Sequence, residues 1–533
     1  MRPTQVTPFR VLSQVLYFRA MVRVVGLDPL PYHLVTCGCH LLNVALAYRL
    51  FRSWQVPRVI AGVAVTLFGC MPLSQTLLSS AVGMNDELSL CFGLTALLLC
   101  GRPSWPARVA APVAQALALL CKELVLFLPA VLLVARPEGV TVRAQARRLI
   151  PFAAITVVAA IGFFLLRANG LATDREEYAI AFGPNLFHNL MTFTSWATDL
   201  VHPMPDLIST FDVNAWRWAL AVYAFLALGA WLAPAQRRSI AIGLAWWTLA
   251  LIPVLPLVSH TYRHYFYAAL PGLAVAVTAA AAGLIARFMT ERGTAPDTRP
   301  ANVTAMALAA LSFTYAVRAD HQIERRAQAH IAGVDLALDP VLRRQEVAGR
   351  ALTSIAQSLD AQSRRIAILS PGESARVFGV RSGSERPTTA AGRAPYDLLA
   401  ESIDRTGGVR LFFPQIDSVA FLTQWSAGYK DFDLFVPYQD GRLLGLGRGP
   451  AAHLGAAAWM LEQHWPEPAR DHLAAALGVY PDNSLLRVAY AVTRQACHDS
   501  TGPIDENRRI DVPIDSLAAD LRTWAAQERA PRH

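Results

Sequence analysis

The stretch RVAAPVAQALALLCKELVLFLPAVLLVA, residues 108–135, decides how the chain folds. After Arg108 it carries only two charges, Lys122 and Glu123, side by side in its middle. Its 28 residues exceed the roughly 20 that one helical crossing of a bilayer needs. Both flanks are basic, with Arg102 and Arg108 before it and Arg136, Arg143, Arg147 and Arg148 after it. Short basic loops stay on the cytoplasmic side. A path that goes out and comes back, with Lys122-Glu123 at the outer turn, keeps both flanks inside. Each arm then has only about 13 residues, so a tilted or re-entrant pair is expected. The alternative is one long span, which inverts everything downstream.

Outward from this stretch, apolar runs near bilayer length fall at 31–50, 58–80, 147–166, 216–234, 238–258, 265–287 and 301–318, with a shorter one at 87–101. With the hairpin the count is about ten segments. Composition agrees: 54% of the 533 residues are hydrophobic and 16% charged, too apolar for a single soluble core. The net charge of +9 is unevenly spread. Residues 1–318 hold 24 Lys and Arg against 13 Asp and Glu, and residues 319–533 hold 24 against 26. The surplus belongs to the apolar half, as topology-setting loops would have it, which argues against nucleic acid as a partner. Membrane lipid is the expected surrounding. The loop 167–215 carries Asp174, Glu176, Glu177, Asp199, Asp206 and Asp212 and reads as a solvated outer loop. Its histidines and carboxylates show no spacing that supports a metal site, and no cofactor is expected.

Residues 1–30 hold Arg2, Arg10, Arg19 and Arg23 among apolar positions and suit a helix lying in the interface. By parity these arginines lie outside with no preceding span. The transmembrane domain is expected over 31–318. From 319 charge rises and long apolar runs vanish. Residues 319–450 read as a mixed α/β region, helical over 320–362 and with short strands at 364–370, 409–415, 419–424 and 432–437. Residues 371–396 form a Gly/Ser/Pro-rich loop. Residues 451–533 return to helix, and Ala469, Leu473, Ala476 and Pro481 fall at the spacing of the second helix of a TPR unit, or of an ordinary helical hairpin. The last thirty residues are polar and expected to be loosely ordered. The fold class is therefore mostly α: a polytopic helical membrane domain followed by an extracytoplasmic α/β plus TPR-like domain.

Chemistry-bearing residues inside the apolar half are few. A carboxylate near the bilayer is costly unless solvated or useful, which singles out Asp86, with Glu87 as a helix N-terminal charge. Lys122 is the only lysine among the arginines of the membrane half, so a compact ammonium is wanted there, either for a phosphate or as a snorkelling end of a self-neutralising turn with Glu123. His260, Tyr262, Arg263, His264 and Tyr265 make a short turn between two runs, either an interfacial belt or a group that holds phosphate and sugar. His40 and Asn43 read as hydrogen-bonding groups between helices.

The segment FRVLSQVLYFRAMVRVVGLDPLPYHLVTCGCHLLNVALAYRLFR (9–52) resembles the GT-C class of membrane glycosyltransferases, in particular the TPR-containing mannosyltransferase-like proteins. Leu27-Asp28-Pro29, Tyr32-His33-Leu34 and His40 to Asn43 carry the likeness there. GMNDELS (83–89), CKELVLFLP (121–129) and SHTYRHYFYAALPGLAVAV (259–277) look like the family's later motifs, in the family's order. The resemblance implies transfer of a sugar from a polyprenyl-phosphate donor to a protein or glycan acceptor outside the cytoplasm, at a bacterial inner membrane with the C-terminal domain in the periplasm. It makes Asp86 the catalytic acidic residue, with Lys122, Arg263, His260, His264 and Tyr262 on the donor phosphate and Glu87, Glu123 and His40 in support. The family's first span and its principal Asp have no counterpart here, for which a misplaced start codon, a truncated gene or a pseudoenzyme, in that order, would account. A non-catalytic membrane scaffold in envelope-glycan assembly is the alternative, and a transporter a more distant one.

Overall fold

A computed structural model of the protein describes residues 10–71, 83–137, 139–168, 179–198, 213–258 and 262–291 of the apolar half, with 73, 77, 78 and scattered positions between 310 and 321. Further along it describes 340–359, 364–369, 402–403, 405–422, 434–439, 442–443, 449–462, 464–497 and 513–529, with scattered positions between 324 and 337. The chain divides into two compact units, Met1–Gln322 and Ile323–His533, and is mostly helical.

The first unit contains α1 (Tyr17–Val25), α2 (Pro29–Ser53), α3 (Arg58–Gly69), α4 (Met84–Cys100), α5 (Trp105–Leu119), α6 (Val142–Ala168), α7 (Pro184–Thr198), α8 (Val213–Leu232), α9 (Arg237–Leu251) and α10 (Leu270–Glu291). Asp28 starts α2 by accepting from the Leu30 amide at 3.1 Å, with Pro29 at the first helical position. Among the described residues three helices are long and apolar enough to cross a membrane: Pro29–Ser53, Val142–Gly162 and Arg263–Phe288. The last is central, with 67% of its apolar window inside the unit, whereas α6 has 17%. The outer side of α6 leaves Val157, Val158, Ile161 and Leu165 exposed at helical spacing, an apolar stripe suited to lipid. Helices α8 and α9 are joined through Pro234 and bent by 113°. Close packing of α9 on α10 depends on glycine: a Cβ at Gly243 would lie 2.5 Å from the Gly272 carbonyl oxygen.

The decisive stretch 108–135 does break in its middle. Helix α5 stops at Leu119, Lys122 is extended at φ −166°, and the second arm is two short 3₁₀ segments, Glu123–Val125 and Leu128–Leu133. Pro129 lies in the first turn of the second segment, where its missing donor and its clash with the carbonyl four residues back separate the two segments. Three of the basic loops meet at one place. Arg238 donates to the Trp54 carbonyl at 3.1 Å, to Gln55 Oε1 at 3.0 Å and to the Arg136 carbonyl at 2.9 Å.

Some expectations are corrected. The loop 167–215 is not all loop, because α7 lies within it and buries Phe193 and Ala197 in the core. Asn189 secures it by donating to the Leu255 and Leu257 carbonyls, each at 2.8 Å. Asp174, Glu176, Glu177, Asp199, His202, Asp206 and Asp212 lie outside the described residues, as do 301–309 of the last expected run.

In the second unit α11 (Pro340–Ser358) precedes β1 (Arg365–Leu369), α12 (Arg405–Phe412), β2 (Ser418–Leu422), β3 (Leu434–Gln439) and β4 (Arg442–Leu443). The sheet order is β2-β1-β3-β4, with β1 parallel to both β2 and β3. The expected strand at 409–415 is instead the end of α12. Parallel pairing of β1 and β2 needs a crossover that a hairpin cannot supply, and α12 provides it, burying Val409 while Leu411 and Phe412 stay exposed. The loop 371–396 lies outside the described residues. Helices α13 (Pro450–Glu462), α14 (Pro466–Val479), α15 (Ser484–Ala496) and α16 (Ile514–Arg529) follow. The end of the chain is more ordered than its polarity implied: α16 buries Leu517, Ala518, Leu521 and Ala525, and Arg522 pairs with Glu462 at 2.5 Å. Its apolar positions recur every three or four residues, which is enough for one buried stripe.

Two buried histidines face each other there, His453 Nδ1 lying 3.2 Å from His472 Nε2. Burial, followed by the charge on His453, holds the His472 imidazole well below its ordinary value. The unfolded chain therefore takes up a proton near the ordinary histidine value of 6.5 while the folded chain still resists it, so stability falls as pH drops through that range. Thermal unfolding of the full chain between about pH 7.5 and about pH 5 is expected to show this loss, and His472→Phe is expected to flatten it. An identical slope in the variant would contradict the assignment.

Candidate functional site

Helix α4 begins at the GMNDELS motif, where Gly83 passes so close to another segment that a Cβ would sit 2.2 Å from the Leu77 carbonyl oxygen. Asp86 and Glu87 lie in the first turn, where the unsatisfied amides of a helix favour negative charge. Consecutive helical residues point to different faces, and the two carboxylates serve two different clusters.

Asp86 receives both bonds of the first. Lys122 Nζ donates to Oδ1 at 2.7 Å and to Oδ2 at 2.9 Å, and the lysine and aspartate are 3% and 4% exposed. The ammonium also sits 5.4 Å from the centroid of the Tyr265 ring, within reach of a cation–π attraction. The break at 120–122 is held open by its neighbours. Ser89 donates to the Lys122 carbonyl at 3.0 Å, Ser13 to the Cys121 carbonyl at 3.1 Å, and the Leu12 amide to the Leu120 carbonyl at 3.2 Å. These bonds satisfy carbonyls that the end of α5 leaves unpaired. Gln115 ties α5 to the second arm by donating to the Val125 carbonyl at 2.9 Å.

Glu87 is fully buried in the second cluster. Asn43 Nδ2 donates to Glu87 Oε2 at 2.8 Å and to its carbonyl at 3.0 Å, and the Tyr267 hydroxyl lies 2.5 Å from Oε2. His40 Nδ1 lies 2.8 Å from that hydroxyl and 3.3 Å from Glu87 Oε1. Tyr265 and Tyr267 come from one 3₁₀ segment, Arg263–Ala269, so a single element contacts both clusters.

The sequence-derived candidates thus separate. The structure brings Asp86 and Lys122 together, and Glu87 and His40. Glu87 does not act as a simple helix-end charge; its carboxylate is spent on Asn43 and Tyr267. Lys122 neither snorkels nor neutralises its neighbour, because it is buried against Asp86, and Glu123 pairs instead with Arg10 at 3.6 Å. Arg263 lies with its guanidinium 5.4 Å from the Trp196 ring centroid. Tyr262 stacks on His264 with centroids 5.5 Å apart, and His264 packs edge-on against Tyr265 at 4.5 Å. His260 lies outside the described residues. Tyr267 and Ser89 escape sequence reasoning, the first hidden among aromatics of an apolar run, the second a common helix residue. Asn85 Oδ1, beside the pair, is buried and finds no hydrogen-bond partner among the described residues. Among those residues no group of three or more His, Cys, Asp or Glu could hold a metal ion.

The chain matches no protein-family model, no curated protein and no solved structure.

Chemically, the arrangement places a carboxylate and a lysine in a site largely closed to water, where their mutual attraction is strong and the loss of either leaves a costly bare charge. Lys122→Met alone is expected to lower stability by about 3–5 kcal/mol, measured by thermal or chemical unfolding in detergent. The double variant Asp86→Asn, Lys122→Met is expected to be much less destabilised than the sum of its two singles. Additive losses would show that the two side chains are not coupled.

Proposed function

We propose that the chain is an integral-membrane glycosyltransferase of the GT-C type, which moves a sugar from a polyprenyl-phosphate carrier to an extracytoplasmic acceptor hydroxyl. One observation carries this: the segments that bear the resemblance meet at two buried polar clusters on the first turn of α4, CKEL (121–124) and Tyr265 at Asp86, and HLLN (40–43) and Tyr267 at Glu87. In the reaction the acceptor oxygen bonds the anomeric carbon, the bond from that carbon to the carrier phosphate breaks, and the acceptor proton passes to a carboxylate. Asp86 is the residue assigned to take the proton. Lys122, now on Asp86, exchanges onto the departing phosphate, which frees the carboxylate oxygens, and Arg263 adds a second cation. Asn85 Oδ1 offers an acceptor for a sugar or carrier hydroxyl.

The finer architecture belongs to the same proposal. About ten membrane segments, with 108–135 as an out-and-back pair, place Arg52, Arg136 and Arg238 on the cytoplasmic side of a bacterial inner membrane. The unit from 323 onward then lies in the periplasm, where α13 and α14 form a TPR-like pair that holds a protein or glycan acceptor. The test uses the full chain in liposomes with polyprenyl-phosphate-linked sugars. Wild type is expected to release sugar to an acceptor, and Asp86→Asn and Arg263→Ala to lower turnover by about 100-fold or more. Unchanged turnover in both variants would remove the site assignment.

A second reading, a non-catalytic scaffold for envelope-glycan assembly, is favoured by the mutual satisfaction of Asp86 and Lys122, which together need no ligand. It expects no sugar release from the wild type with any donor.

A further inference from the structure

The Glu87 cluster is separate from the Asp86–Lys122 pair that the proposed chemistry uses, and its hydrogens do not add up in the ordinary protonation states. His40 Nε2 lies 3.2 Å from the Gly69 carbonyl, which can only accept, so that nitrogen carries a hydrogen. Tyr267 has one hydroxyl hydrogen and two close partners, Glu87 Oε2 at 2.5 Å and His40 Nδ1 at 2.8 Å. With a neutral histidine and an ionised glutamate, that single hydrogen must serve both. Nδ1 would also confront Glu87 Oε1 at 3.3 Å with no hydrogen between them. Charge gives the same answer. Asp86 and Lys122 cancel each other, so nothing in the first cluster offsets Glu87. Asn43 is a neutral donor, and Phe68 covers both rings, with centroids 5.3 Å from those of His40 and of Tyr267. An ionised carboxylate at zero exposure, hydrogen-bonded only to neutral groups, is what buried sites avoid.

We propose that the membrane unit binds one proton here, shared by His40, Tyr267 and Glu87. Two arrangements give each of the two Tyr267 contacts its own hydrogen, and the first also places one between His40 Nδ1 and the Glu87 side. In one, an imidazolium donates from Nδ1 to the Tyr267 oxygen, and the hydroxyl donates to a carboxylate. In the other, Glu87 is a carboxylic acid that donates from Oε2 to the Tyr267 oxygen, and the hydroxyl donates to a neutral Nδ1. They interconvert by two concerted shifts: the Nδ1 hydrogen passes to the Tyr267 oxygen, and the Tyr267 hydrogen passes to Oε2. No atom or charge is gained or lost, and Tyr267 ends as the phenol it began as. The cluster is neutral overall in both forms, which is compatible with its burial. The effect is a proton relay between His40 on α2 and the first turn of α4, and it holds whether or not the chain transfers sugar.

The test takes the full chain in lipid nanodiscs at neutral pH. Nitrogen-15 NMR of ring-labelled histidine, assigned by the signal lost in His40→Gln, counts the hydrogens on His40. Infrared spectroscopy looks for a carboxylic-acid band that disappears in Glu87→Gln. Either a doubly protonated His40 or such a band is expected. A His40 with one ring hydrogen, together with no carboxylic-acid band lost in Glu87→Gln, would overturn the proposal. Tyr267→Phe keeps the ring and removes the bridge, and serves if Glu87→Gln fails to fold. It is expected to abolish whichever signature the wild type shows, and an unchanged signature would overturn the relay.

Discussion

The buried bond between Lys122 and Asp86 is the constraint around which the first unit is built. Neither ion can be left in an apolar interior without the other, because removing a charge from water costs several kcal/mol that only close pairing and hydrogen bonding offset. The bidentate contact, with Tyr265 on the ammonium's flank, meets that condition. It also dictates local geometry. The chain must leave α5 before Lys122 to deliver the ammonium to the first turn of α4, and the exposed carbonyls at the break must find Ser13, Ser89 and Leu12.

The two carboxylates of the NDE tripeptide give the unit two adjoining polar centres with different character. Asp86 is held by a charge that a phosphate would compete for. Glu87 is held by an amide, a phenol and an imidazole, none of which a phosphate would displace. The first is suited to exchange partners and the second to keep them. One 3₁₀ segment contacts both through Tyr265 and Tyr267, so movement of the Arg263–Ala269 segment is felt at each. That segment joins the Asp86–Lys122 pair to the Glu87 cluster through two residues of the same backbone.

Much of the centre was legible in the sequence because charge in an apolar run stands out. Asp86, Glu87, Lys122 and Arg263 were visible for that reason, and Arg238 brings three of the basic loops to one place. Pairing was not legible. Lys122 sits next to Glu123 in the chain, yet an extended backbone sends the neighbours apart, one to Asp86 and the other to Arg10. Tyr267 was hidden because an aromatic in an apolar run gives no sign that its hydroxyl is committed. Helix α12 read as a strand because β-branched and aromatic residues dominate 409–413, and only the parallel crossover overrides that preference. Helix α16 read as loose because its apolar stripe is narrow among charges, and what it packs against is a tertiary fact.

The central claim is that a polyprenyl-phosphate ligand enters at the Asp86–Lys122 pair. Photo-crosslinking with a polyprenyl-phosphate analogue on the reconstituted full chain, followed by peptide mapping, tests it most directly. Saturable labelling on peptides that span 83–89, 121–129 or 262–267, blocked by unlabelled carrier, is the expected result. Labelling that is not saturable, or that falls only on peptides after residue 323, would contradict it.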